Sequence, residues 1–160
     1  MRGGFFLSPA DGDARLPRTK DLQDTPIPSG NSMLAWVLLR LARIWGDDEL
    51  ERRAVAVFRL VEPGLRSAPG AFAWMLCGLD LWLSPPREIA VVGDVGAPVA
   101  RAALAPFQPR TVVAVGPSDE VPLLAGKGLV DGGTAVYICE RFVCRAPVTE
   151  PDELQEGRER

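Results

Sequence analysis

Two stretches constrain this chain more than any others, because Met33 to Trp45 and Ala71 to Leu83 are apolar on almost every side. In MLAWVLLRLARIW the polar stripe is little more than Arg40 and Arg43, which lie about one helical turn apart. In AFAWMLCGLDLWL it is Asp80 alone. A helix with so little polar surface has to be covered nearly all round. Three helices cannot do that for one another, so the pattern predicts missing neighbours: another domain, a further copy in a homo-oligomer, or the rest of a larger protein. Each stretch falls short of the roughly 20 apolar residues that a membrane span needs, so both read as buried helices.

The segment before them is loop-like. Gly3-Gly4, Asp11-Gly12-Asp13 and the prolines from Pro17 onward are turn signals, with room for a short strand at Phe5 to Leu7. Asn31 or Ser32 is the expected cap of the first helix, which stops at Gly46, and Asp47 then caps a second helix. That helix carries Asp48 and Glu49 at the positive end of its dipole and Leu50, Ala54, Val57, Phe58 and Val61 on one face. Pro63-Gly64 is expected to end it. The third helix starts near Pro69, with Ser67 as its cap.

Ser84-Pro85-Pro86 marks a boundary, since two successive prolines remove donors and the composition changes after them. Glu88 to Val92 and Thr111 to Val115 are short β-branched runs joined by a helical segment, Pro98 to Leu104, which suggests a parallel βαβ unit. Ala135 to Cys139 and Phe142-Val143-Cys144 follow as a hairpin edge. Thr149 to Leu154 resembles a capping box that opens a last short helix, after which the chain frays.

Several chemistries are excluded or weakened by composition. There is no histidine, so no Ser-His-Asp or Cys-His pair and no His-ligated metal can be built within this chain. Three cysteines cannot make a four-cysteine zinc site, and neither a metal nor another cofactor is expected. With 18 basic against 21 acidic residues and no long block of one sign, there is no electrostatic footprint for nucleic acid. The start, MRGGFFLSPADGD, lacks a secretory pattern, which makes the cytoplasm the default location.

Four candidate sites remain. Gly93-Asp94-Val95-Gly96 lies between a strand and a helix, where phosphate binds in α/β folds, but its GxxG spacing is that of a plain turn. Gly126-Lys127-Gly128 fails the P-loop pattern because Gly128 stands where Ser or Thr is required. Cys139 and Cys144, in ICERFVC, can face each other across a hairpin as a disulfide or redox pair, or serve as two structural thiols. Cys77 is expected in the core. Lys20, Asp21, Asp24, Ser29 and Asn31 combine paired carboxylates, a lysine and a helix start, an arrangement that suits a polyol or a positioned water as well as a capped, solvated loop.

The order of GGFF, RTKDLQD, PSGNS, SPPREIAVVGD, VPLLAGK and VYICERFVCRAPVTEPDEL is similar to that in the C-terminal part of the thioredoxin-domain-containing proteins related to the spermatogenesis-associated thioredoxin-like protein of animals. The resemblance covers nearly the whole chain. It implies a longer protein with an N-terminal thioredoxin-like domain and an (α/α) toroid of the six-hairpin glycosidase kind. This chain would supply the terminal helical hairpins over 1–84, a small βαβ-containing α/β unit over 85–148, and a short helix and tail over 149–160. The fold class expected is therefore mainly α with a small α/β segment.

In such a toroid Lys20, Asp21, Asp24, Ser29 and Asn31 would line the cavity and face a sugar. The chain alone lacks a CxxC motif and the histidines that epimerase-like toroids use. The expected role is thus a non-catalytic, truncated or split piece that needs the missing domains or a partner. The alternatives are a carbohydrate-binding or carbohydrate-modifying protein and a thiol redox protein acting through Cys139 and Cys144.

Overall fold

The computed structural model describes residues 3–12, 15 and 17–156, with side chains described as far as Leu154. Asp13, the Met1-Arg2 start and the tail beyond 156 lie outside the described residues. The chain forms two compact units, one made of residues up to Ala42 together with Asp47–Leu83, the other of Arg43–Gly46 and Ser84 onward.

The first unit is helical. Helix α1, Gly30–Trp45, ends at Gly46, whose φ of +66° is the left-handed conformation expected of a helix-terminating glycine. Asp47 then caps α2, Asp48–Ser67, its side chain accepting from the Glu49 and Leu50 amides. Contrary to the sequence expectation, Pro63-Gly64 does not end α2, which runs a further turn with Pro63 inside it. Gly64 serves packing instead: a Cβ there would lie 2.6 Å from the ring of the buried Phe72.

Ser67 is likewise not the cap of the next helix. It is the last residue of α2, and its hydroxyl donates to the Gly64 carbonyl. Pro69–Phe72 form a 3-10 turn that leads into α3, Ala73–Leu83. The core of this unit joins Ala35, Leu38 and Leu39 of α1, Val57, Phe58 and Val61 of α2, and Met75 and Leu81 of α3. No strand forms at Phe5 to Leu7; the segment is held by single hydrogen bonds such as that from the Leu7 amide to the Thr19 carbonyl at 2.9 Å. Gly3 and Gly4, with φ of +105° and +69°, let this segment pass over α2, where a Cβ on Gly3 would meet the Ala56 carbonyl oxygen at 2.5 Å.

The second unit is a four-stranded mixed sheet in the order β2-β1-β3-β4. Strand β1, Arg87–Val92, is followed by α4, Pro98–Leu104, and the parallel strand β2, Thr111–Val115, which together make the βαβ element. Strand β3, Ala135–Glu140, runs antiparallel to β1 on its other side and turns into β4, Val143–Cys144. A last turn of helix, α5, spans Glu153–Glu156, and the Glu153 carboxylate accepts from the Thr149 amide in the manner of a capping box.

Each face of the sheet has its own core, as the alternation of side chains along a strand requires. Ile89 and Val91 of β1, with Val136 and Ile138 of β3, pack with Val99, Ala100 and Ala103 of α4. Ala90, Tyr137 and Cys139 pack with Leu123, Leu124 and Ile44 on the opposite face. Arg43–Gly46 belong to this unit because the Arg43 guanidinium donates to the Arg110 carbonyl at 3.1 Å and the Ile44 carbonyl accepts from the Leu123 amide at 3.1 Å.

Candidate functional site

The residues Lys20, Asp21, Asp24, Ser29 and Asn31 do come together, as one hydrogen-bonded cluster around the start of α1. The helix cap is Ser29, not Asn31 or Ser32. Its carbonyl accepts from the Met33 amide and its hydroxyl from the Ser32 amide at 3.1 Å, with the two hydroxyls 2.8 Å apart. The two carboxylates take the donors that a helix start leaves unpaired. Asp24 accepts from the Ser29 amide at 2.8 Å and Asp21 from the Gly30 amide at 3.1 Å.

Asp24 does the same for α3. Its second carboxylate oxygen accepts from the Trp74 amide at 2.8 Å and the Met75 amide at 3.3 Å, 50 and 51 residues away, while its own amide donates to the Ala71 carbonyl. Burial alone would raise the pKa of this carboxyl. The bonds from Ser29, Ser32, Met75 and Trp74 together outweigh it and hold the group below its ordinary value.

Asn31, 2% exposed, ties the amino-terminal segment down. Its amide oxygen accepts from the Phe5 amide at 2.7 Å, and its nitrogen donates to the Phe5 carbonyl at 3.0 Å and the Asp21 carbonyl at 2.7 Å. Lys20 donates to the Gly3 carbonyl and lies 4.6 Å from the centre of the Phe6 ring. All five residues thus have structural partners within the chain, and the cluster works as a staple between the amino-terminal segment, α1 and α3.

The glycine loops also carry structural bonds. In Gly93-Asp94-Val95-Gly96 the Asp94 carboxylate accepts from the Gly96 amide at 2.8 Å, placing a negative charge where a phosphate would have to sit. The Gly126-Lys127-Gly128 loop is anchored by the Tyr137 hydroxyl, which donates to the Gly128 carbonyl at 2.8 Å. Among the described residues no group of acidic, cysteine or histidine side chains is placed to hold a metal ion, and no helix is long and apolar enough to cross a membrane.

Cys139 and Cys144 are directly opposite in the β3-β4 register and are joined by a disulfide. Cys77, expected in the core, is exposed, because α3 buries only Met75, Gly78 and Leu81 and turns its remaining faces outward. Glu88 gives no signal in the sequence, where it is a charged residue at the head of an apolar run. It is 1% exposed, opposite Cys139 in the β1-β3 register and therefore on the same face. The Phe142 and Arg141 amides of the hairpin turn donate to its carboxyl, and its Oε2 has no hydrogen-bond partner among the described residues.

Burial pushes the Glu88 carboxyl above its ordinary pKa, against the pull of the two amides and of Arg43 and with the push of Glu140. A carboxyl that binds its proton more tightly in the folded state supports the fold fully below the unfolded pKa and loses that support as pH rises through the folded value. Glu88→Gln keeps an acceptor for the turn and carries no charge. It is expected to match or exceed the wild type in stability at pH 8 and to flatten the decline between mildly acidic and alkaline pH, as measured by urea unfolding across that range.

No family model matches the chain, and no solved structure matches it. Among curated proteins it is 31% identical to mouse spermatogenesis-associated protein 20 over 96% of this chain and 21% of that protein. The human protein of the same name is 29% identical over the same shares. A Caenorhabditis elegans protein of uncharacterized role is 30% identical over 96% of this chain and 22% of its own length. The chain thus spans about a fifth of these relatives. Along almost all of its length, therefore, it is homologous to one segment of spermatogenesis-associated protein 20.

Proposed function

We propose that the chain acts as the C-terminal portion of a longer cytoplasmic protein, a non-catalytic segment that completes an (α/α) toroid of the six-hairpin glycosidase kind joined to a thioredoxin-like domain. The observation that carries this reading is the apolar surface left bare on two helices. Leu34 and Leu41, two turns apart on α1, are 38% and 37% exposed, and Trp74 on α3 is 42% exposed. Large side chains of this kind, repeated at helical spacing, mark a surface that another element covers. The relatives, each about five times the length matched, have the additional chain to cover it. An antibody raised against the 85–148 segment, used on a lysate of the source organism, is expected to detect a protein several times heavier than 17.3 kDa. A band at that mass with no heavier species would overturn the reading.

A second reading is thiol redox chemistry. It is favoured by the bond between Cys139 and Cys144, since cytoplasmic disulfides are in general transient, catalytic or redox-sensing.

A further inference from the structure

The row of side chains that crosses the sheet at the hairpin is unusual in chemistry. Val112, Glu88, Cys139 and Cys144 occupy successive positions on β2, β1, β3 and β4 and share one face. Two of the four are a disulfide, and the neighbour of the inner sulfur is a carboxyl enclosed by protein. The two cysteines differ in access. Cys139 is 1% exposed, whereas Cys144 is half-buried beside Val143, which is 76% exposed. Of the two, Cys144 is the more open to solvent, so an attacking thiol would meet its sulfur first and leave Cys139 as the leaving group.

A thiolate released in the Cys139 position is surrounded by Ala90, Leu123 and Leu124, where a negative charge is poorly solvated. It needs a proton at once. Glu88 stands opposite it with a buried oxygen that has no hydrogen-bond partner among the described residues. The charged groups acting on Glu88 are Arg43 at the end of α1 and Glu140 at the end of β3, while β2 and β4 present Val112 and Cys144.

We propose that the β3-β4 hairpin is a site of thiol–disulfide exchange with an external dithiol, and that Glu88 is the buried acid that protonates the Cys139 sulfur as it leaves. Resting on the second reading above, this names its co-substrate class and its proton donor. In the first step one thiolate of the dithiol bonds to Cys144 Sγ, the Cys139–Cys144 bond breaks, and the electron pair stays on Cys139, which takes the proton of the Glu88 carboxyl. In the second, the other thiolate of the dithiol attacks its own sulfur in the mixed disulfide and releases Cys144, which takes a proton from water. Glu88 is reprotonated from solvent. The dithiol has lost two electrons and its two thiol protons, and the hairpin has gained two thiols. In the reverse direction Glu88 accepts the Cys139 proton.

Reduction also removes the cross-link that closes the turn, in which Arg141 and Phe142 both have left-handed backbones, with φ of 49° and 65°. The two amides that Glu88 receives come from those same residues, so the acid and the bond hold one turn.

The test uses the chain with Cys77→Ala, which removes the exposed third thiol, and dithiothreitol as the dithiol. Native protein is expected to gain two mass units at millimolar dithiothreitol without unfolding. Glu88→Gln, which cannot give a proton, is expected to slow that reduction at least tenfold near neutral pH and to change its pH profile. A bond that yields only on unfolding overturns the thiol reading itself. A Glu88→Gln chain that is reduced as fast as its parent, with the same pH profile, overturns the role of Glu88 while leaving exchange intact. Should that variant fail to fold, reduced parent protein decides by alkylation: Cys144 is expected to react at least tenfold faster than Cys139 at pH 8, and equal rates overturn the proposal.

Discussion

Asp24→Ala is expected to cost the fold about 3 kcal/mol, the scale of losing a charge-assisted hydrogen bond together with a helix cap. One carboxylate serves two helices: Oδ1 takes the Ser29 amide at the start of α1, and Oδ2 takes the Trp74 and Met75 amides at the start of α3. Alanine leaves all three donors without an acceptor and removes a negative charge from two positive helix ends. Asp24→Asn retains an acceptor oxygen and should recover about half of the loss.

The pH dependence separates charge from shape. Because the folded-state pKa of Asp24 lies below its unfolded value, its contribution is fully present above the ordinary carboxylate range and is lost as pH falls through the lowered folded value. The gap between wild type and Asp24→Ala should therefore shrink in acid. Urea unfolding at neutral pH and at pH 3 measures it, and a gap that is the same at both would show that the carboxylate form is not what matters.

This double cap was beyond reach of the sequence, because its Trp74 and Met75 donors lie 50 and 51 residues from Asp24 and nothing local announces that pairing. What was legible depended on short-range chemistry. Gly46 followed by Asp47 ends one helix and caps the next, a signal contained within three residues. The β-branched runs on either side of Pro98 to Leu104 required no distant information to be read as strand, helix, strand. ICERFVC placed two cysteines at a spacing that a tight turn brings into register.

The failures share a cause in tertiary packing. Pro63-Gly64 carries every local mark of a helix end, yet the close approach of Phe72 makes the glycine a packing residue and the helix continues past it. Cys77 reads as core because its helix is apolar throughout, but only one side of that helix meets α1 and α2. Glu88 stands near the start of its strand, a place where charge is ordinary on an edge, and only the sheet order shows that the strand is central and the carboxyl enclosed.

At the start of α1 a staple and a ligand site differ in what their carboxylates bind. Calorimetry against simple sugars, repeated with Asp21→Asn and Asp24→Asn together, tests the carbohydrate alternative directly, and loss of binding in the double variant is its expected result. Since each carboxylate already accepts a backbone amide, a fall in stability without any sugar binding to the parent would end that alternative.

Asn31→Asp is the sharper substitution, because it exchanges one heavy atom, the amide nitrogen for an oxygen, and changes almost no volume. The carboxylate can still accept the Phe5 amide, but it can no longer donate to the Phe5 and Asp21 carbonyl oxygens, 3.0 and 2.7 Å from the nitrogen it replaces. At neutral pH an ionised group in a position 2% exposed would face two carbonyls. The direct cost is about 3–5 kcal/mol, that of a buried charge without its partner. The chain has a cheaper way out, which is to release the amino-terminal segment from α1 and let water reach the carboxylate. The global loss measured by urea unfolding is therefore limited by the free energy that holds that segment in place. Hydrogen exchange at the Phe5 amide reads that local opening, and its protection is expected to fall at least a hundredfold while the amides of Leu38 and Leu39 in the α1 core change far less. Equal loss of protection at all three would mean that the segment and the helical core open as one unit and that Asn31 is integral to the fold of α1 itself.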